Sequence, residues 1–153
     1  MVEIKLVPYF EKEHLELLEK WLMDEELMKG WDIPAFEKEK VRVWAQEKDK
    51  VILMIKDSQS GEVVGFINFY DWDEGKAVAS RGTLIDSKYQ NMGYGKASIV
   101  ASNSYAFEKM GLKRIELYVA NSNEISKHIT EKLGYKFDYN DDEKDRSYYY
   151  MEE

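Results

Sequence analysis

From Ala77 to Gly134 the chain reads strand, glycine turn, helix, strand, helix, and few architectures accommodate that order. The first strand runs from Ala77 to about Asp86 and leads into YQNMGYGKAS, residues 89–98, where Gly93 and Gly95 stand one residue apart. Beyond the turn, Ile99, Val100, Ala106, Phe107 and Met110 recur at helical intervals, and Gly111 ends the helix. Residues 113–119, KRIELYV, alternate as a strand, and residues 122–133 form a helix stopped by Gly134.

The flanks extend the same pattern. Residues 2–8 read as a strand ending at Pro8, and Leu15, Leu17, Leu18, Trp21 and Leu22 mark a helix from about Glu11 to Met23. Residues 25–47 read as one or two further helical pieces, broken near Gly30 and Pro34. Val51–Ile55 and Val63–Tyr70 make a hairpin, DWDEGK (residues 71–76) a turn, and the tail from Tyr135 to Met151 a second hairpin across NDDEKD. The expectation is an α+β single domain over residues 1–153: a mixed sheet of about six or seven strands flanked by about four helices. Linkers, internal repeats and low-complexity segments are absent.

Composition narrows the function. The chain has 153 residues, 44% of them hydrophobic, enough for one core. Cysteine is absent, which excludes a disulfide framework, a thiolate zinc site and a cysteine nucleophile, and makes the cytoplasm the expected location. The start, MVEIKLVPYF, lacks the pattern of a secretory signal, and no apolar run approaches the ~20 residues that span a bilayer, so no membrane partner is expected. The net charge of -8 argues against a nucleic-acid partner and suits a cationic small molecule or peptide amine, although acidity would also serve solubility alone.

The glycine turn fits neither of two familiar phosphate motifs. A P-loop requires Ser or Thr after Gly-Lys, but Ala97 follows Gly95-Lys96, and Gln90 stands where its first glycine belongs. A dinucleotide fingerprint requires a third glycine where Ser98 stands. What remains is Gln90-x-x-Gly93-x-Gly95 between a strand and a helix. Residues without a β-carbon let the backbone approach a ligand closely, and the unpaired N–H groups of a helix's first turn attract an anion such as a pyrophosphate. A tight connection with glycines for steric reasons is the alternative.

LIDSKYQNMGYGKASI followed by GLKRIELYVANSNEISKHITEKLGYKF resembles the GNAT superfamily of acyl-CoA-dependent N-acyltransferases, and is closest in pattern to the branch related to ribosomal-protein N-terminal acetyltransferases. The matching signatures are Gln90-Asn91-Met92-Gly93-Tyr94-Gly95 and the Asn-led helix from Asn123 to Tyr135, within residues 80 to 137. The resemblance implies a GNAT fold with a largely antiparallel central sheet and acetyl-CoA as cosubstrate. It implies that Thr83, Leu84 and Ile85 lie beside the pantetheine arm and that the N–H groups from Asn91 to Lys96 hold the pyrophosphate. Asn123 would bond the pantetheine, besides capping its helix as Asn commonly does.

The resemblance also carries catalytic expectations. Many members have a tyrosine seven residues after the asparagine to protonate the departing thiolate; here Thr130 stands there. Ser126 is carried over as the donor facing the sulfur, against the alternative of a small packing residue. His128, about 200° around the helix from Ser126, should point away. An oxyanion is expected on a backbone N–H near Ile85. Strand alternation puts Glu116 and Tyr118 on one face; the resemblance implies Tyr118 ordering a water and Glu116 acting as base through it, against the alternative that both simply face solvent. The expected reaction is acetyl transfer from acetyl-CoA to a primary amine of a small molecule or protein N-terminus. The rival is a catalytically weak acyl-CoA-binding module or sensor. Residues 24–36, with Trp31 and Phe36, and Tyr148-Tyr149-Tyr150 are candidates for the acceptor cleft, and related proteins imply a possible homodimer through such tails.

Overall fold

The computed structural model describes all 153 residues. They form one sheet of seven strands: β1 (Ile4–Pro8), β2 (Val51–Asp57), β3 (Val63–Asp73), β4 (Val78–Ile85), β5 (Arg114–Ala120), β6 (Lys136–Asp141) and β7 (Arg146–Glu152). Their order is β1-β2-β3-β4-β5-β7-β6, and every neighbouring pair is antiparallel except β4 with β5. The expected mixed, largely antiparallel sheet is present.

The helices are α1 (Glu11–Leu22), α2 (Glu25–Lys29), α3 (Lys38–Ala45), α4 (Tyr94–Glu108) and α5 (Glu124–Lys132), one more than the expected four because residues 25–47 split into two pieces. One apolar cluster joins Leu18, Trp21 and Leu22 of α1 and Val41 of α3 to Met54, Phe66 and Leu84 on one sheet face. The other cluster joins Tyr94 and Ala106 of α4 to Leu53, Ile67, Phe69, Ala79 and Ile115 on the opposite face. The helices thus cover both faces, and period-two alternation in β2–β4 supplies each side with apolar residues.

The DWDEGK stretch departs from the expected turn. β3 continues through Asp73 with a bulge between Tyr70 and Asp73, where Asp71 adopts φ 51°. The N–H of Trp72 donates to the Asp49 carbonyl at 3.0 Å, so the bulged strand is held outside the ladder.

Candidate active site

The parallel pair β4–β5 is short: it joins Val78 to Arg114, Ala79 to Ile115 and Ser80 to Glu116, and there it stops. On its other side β4 stays paired with β3 as far as Ile85. The two strands therefore splay after Ser80 and leave one edge of β4 open. The Asp86 N–H donates to Val64 in β3 at 2.8 Å, so alternation aims the main chains of Leu84 and Gly82 at β3 and those of Arg81, Thr83 and Ile85 into the gap.

This corrects one expectation. Thr83 and Ile85 face the splay, but Leu84 turns its main chain to β3 and buries its side chain in the α1–α3 cluster, so it cannot pair with a ligand there. Two gap carbonyls already accept side-chain bonds: Thr83 from Trp31 Nε1 at 2.9 Å, and Ile85 from Gln90 Nε2 at 3.0 Å. Gln90 thus braces the turn from within.

Asp86 anchors the entrance to the turn. Its carboxylate accepts Trp21 Nε1 at 2.8 Å, the Lys88 N–H at 2.9 Å and Lys20 Nζ at 3.4 Å. Burial opposes its ionisation, but these donors outweigh burial and hold the carboxyl below its ordinary pKa. Beyond it the backbone passes through left-handed conformations at Asn91 (φ 64°) and Gly93 (φ 96°) before α4 begins.

No N–H from Asn91 to Lys96 donates to a protein atom; the helix's first bond runs from Ala97 to the Gly93 carbonyl at 3.1 Å. Six consecutive donors at the positive end of a fifteen-residue helix are thereby left for an anion. The two glycines differ in kind. Gly93 is required by its positive φ, whereas a β-carbon on Gly95 would meet only Ile85 Cγ1, at an ordinary 3.9 Å. Tyr94 contributes only main chain, since its buried ring sends the hydroxyl to Asp57 Oδ2 at 2.5 Å. Met92 and Lys96 are exposed at the rim.

Helix α5 lies across the splay. Asn123 Oδ1 accepts the Ser126 N–H at 3.1 Å, the expected cap, and leaves its amide nitrogen free. Asn123, Ser126 and Thr130 all line one cavity of about 840 Å³, while His128 is exposed, as its rotation around the helix predicts. The cavity runs between the splayed strands to the α2–α3 side, where Trp31, Trp44, Asn68 and Tyr70 complete it.

The expected catalytic groups are only partly brought together. Ser126 and Tyr118 line this cavity. Tyr118 donates its hydroxyl to the Trp31 carbonyl at 2.6 Å beneath the Arg146 guanidinium, and burial raises its pKa. Glu116 does not line the cavity: it pairs with Arg114 Nε at 2.9 Å and faces a smaller recess beside Asp138 and Tyr139. Tyr118, two residues along the same strand face, lines that recess as well, so it borders both spaces while Glu116 borders only the smaller one.

Three lining residues escaped sequence reasoning. Asn68 is 5% exposed and its Oδ1 has no donor. Lys50 rests its ammonium 3.5 Å over the Trp44 ring, pairs with Glu47 at 3.0 Å, and has its pKa lowered by burial. Arg81 is 4% exposed. A lone charge inside the apolar strand AVASRGTLI was the available signal for Arg81; Asn68 within VVGFINFY was similarly visible.

The sequence pattern of the acetyltransferase (GNAT) domain matches residues 3–136. The chain is 24% identical to mouse alpha/beta-tubulin-N-acetyltransferase 9, an alignment covering 88% of this chain and 62% of that protein, so it spans under two thirds of that relative. It is 26% identical to the N-acetyltransferase 9-like protein of Caenorhabditis briggsae, over 86% of this chain and 73% of the other. Spermidine N-acetyltransferase from Vibrio cholerae, solved with CoA and spermine, superposes with a TM-score of 0.90 at 17% identity, over 97% of this chain and 95% of that one. A domain from Methanocaldococcus jannaschii does so with 0.84 at 19% identity over both whole chains. With the splayed β4–β5 pair and the unpaired amides before α4, these matches establish that the chain belongs to the GNAT acetyltransferase family, acyl-CoA-dependent N-acyltransferases that use acetyl-CoA.

Proposed function

We propose that this protein moves the acetyl group of acetyl-CoA directly to one primary amine, on a small molecule or a protein N-terminus, with both substrates bound together. The observation that carries this reading is the combination of free N–H groups at residues 91–96, a β4 edge that opens after Ser80, and a cavity lined by Thr83, Asn123 and Ser126. The pyrophosphate docks on the first turn of α4, the pantetheine runs along Thr83 and Ile85, and the Asn123 amide meets it from α5.

The acceptor enters from the opposite face. Asn68 pairs with Gly82 across β3–β4, and a β-carbon at Gly82 would meet the Trp31 ring at 3.4 Å, so both residues belong to the Trp31 side. Asn68 Oδ1, buried without a donor, is where the acceptor N–H lands. The amine attacks the thioester carbon, the oxyanion is held by the Thr83 N–H, and Ser126 donates to the leaving sulfur. Tyr118, whose hydroxyl donates to the Trp31 carbonyl, still accepts through its oxygen and orders the water that takes the amine's proton.

Charge refines the acceptor class. On the acceptor side, Lys48, Lys50, Lys144 and Arg146 line the cavity against the carboxylates of Glu47 and Asp71. The overall charge of -8 is thus reversed inside it, which favours an amine with one cationic centre over a polyamine. Edge strand β6, with Phe137 and Tyr139 exposed, is the surface through which two copies would pair.

The test incubates the protein with acetyl-CoA, a thiol-reactive dye and a panel of monoamines, polyamines and peptides. Amine-dependent CoA release with an acetylated product by mass spectrometry is expected. Acetyl-CoA binding without amine-dependent release would leave the sensor reading in its place.

A further inference from the structure

Arg81 is a buried cation without a counterion. Its Nη1 donates to Tyr135 Oη at 2.6 Å, Asn103 Oδ1 at 2.6 Å and Ser102 Oγ at 3.4 Å, and the Tyr135 hydroxyl donates to the same Asn103 oxygen at 2.6 Å. All three partners are neutral, and no carboxylate pairs with the guanidinium, although nine lysine or arginine ion pairs form elsewhere in the protein. Burying a charge in this way is costly unless an anion completes the site.

The guanidinium's geometry indicates which anion. Nη1 carries every bond to protein, so Nε and Nη2, the edge that grips a carboxylate with two parallel bonds, are unused. Arg81 lines the large cavity, which Ile99 of α4 and Ser126 and Thr130 of α5 also border. Its position fixes the source of the anion. Gly82 faces Trp31 and the acceptor side, so its neighbour Arg81 points to the other face, where α4 and α5 enclose the cofactor. Thr130, a small side chain, forms part of the same wall.

We propose that Arg81 recognises a carboxylate at the far end of the acyl group, so that the cleft takes dicarboxylic acyl-CoA thioesters, such as succinyl-CoA, besides acetyl-CoA. This rests on the acyl-transfer reading above. In the transfer, the amine nitrogen forms a bond to the thioester carbon while the carbon–sulfur bond breaks. CoA leaves as thiol, the amine's proton passes to water, and the distal carboxylate stays unchanged on the guanidinium.

Calorimetry of the full chain with CoA, acetyl-CoA, butyryl-CoA and succinyl-CoA tests the proposal without any variant, since butyryl and succinyl differ mainly in the carboxylate. Succinyl-CoA is expected to bind at least about tenfold more tightly than butyryl-CoA. Arg81→Gln should erase that ratio while leaving acetyl-CoA affinity within about threefold. Equal binding of succinyl- and butyryl-CoA by the unaltered protein would overturn the proposal. So would an Arg81→Gln protein, folded by circular dichroism, that loses affinity for all the thioesters alike, because Arg81 would then serve the sulfur or the scaffold. If CoA itself and every thioester failed to bind, the acyl-transfer reading would fall first.

Discussion

Trp31 and Thr83 join the two sides of the cleft: the indole N–H donates to the Thr83 carbonyl on β4 at 2.9 Å. The Trp31 carbonyl in turn accepts the Tyr118 hydroxyl from β5 at 2.6 Å. One residue of the α2–α3 loop thus bridges strands that have stopped pairing with each other, and its ring also packs edge-on against Phe66. Trp31→Phe keeps the ring and removes the donor. Chemical denaturation should show a loss of about 1 kcal/mol, and the acceptor KM should rise several-fold while the acetyl-CoA KM stays within about twofold.

Gly93 and Gly95 should separate on substitution. Gly93→Val forces a β-branched residue into φ 96°, so it should lose about 1–3 kcal/mol of stability together with acetyl-CoA affinity. Gly95→Val faces no such strain and should remain folded while binding acetyl-CoA at least about tenfold more weakly. Unchanged affinity by calorimetry in folded Gly95→Val would remove the pyrophosphate from this turn.

Asn68→Leu replaces an unpaired buried oxygen with an apolar side chain. Such an exchange relieves a desolvation penalty, so melting temperature should hold or rise. The acceptor KM should nevertheless increase about tenfold or more. A variant with an unchanged KM would free Asn68 from any acceptor contact.

Ser126→Ala should reduce kcat by about 10²-fold, the lower end of general-acid contributions, with little change in acetyl-CoA KM. Thr130→Tyr, one turn further along the same cavity wall, should restore part of that loss in the Ser126→Ala background. Steady-state kinetics of the single and double variants distinguishes a proton donor from a residue that only packs.

Asp86 sets an acid limit. Its folded pKa lies below the unfolded one, so its stabilisation is fully present above the unfolded carboxylate value near ~3.9 and is lost as pH falls through the folded value. Asp86→Asn should lower stability at neutral pH by about 1–3 kcal/mol and flatten the acid side of the stability profile. Thermal melts between pH 2 and pH 7 compare the two proteins, and parallel profiles would contradict the role of the carboxylate.

The order of strands and helices was written in the chain because each element declares itself locally. Alternation in RIELYV, helical spacing from Ile99 to Met110, and the stops at Gly111 and Gly134 need no distant partner. The same holds for the Asn123 cap and the outward-facing His128, which follow from a helix start and its rotation. Register and splay belong to the tertiary structure. That β4 and β5 pair for three residues and then part, that Leu84 turns away while Thr83 opens, and that Glu116 faces a recess shared with Asp138 of β6 depend on twist and on segments far apart in sequence. Arg81 and Asn68 were visible as polar letters in apolar strands, but only the packing of α4 and of Trp31 on opposite faces decided which side of the sheet each one serves.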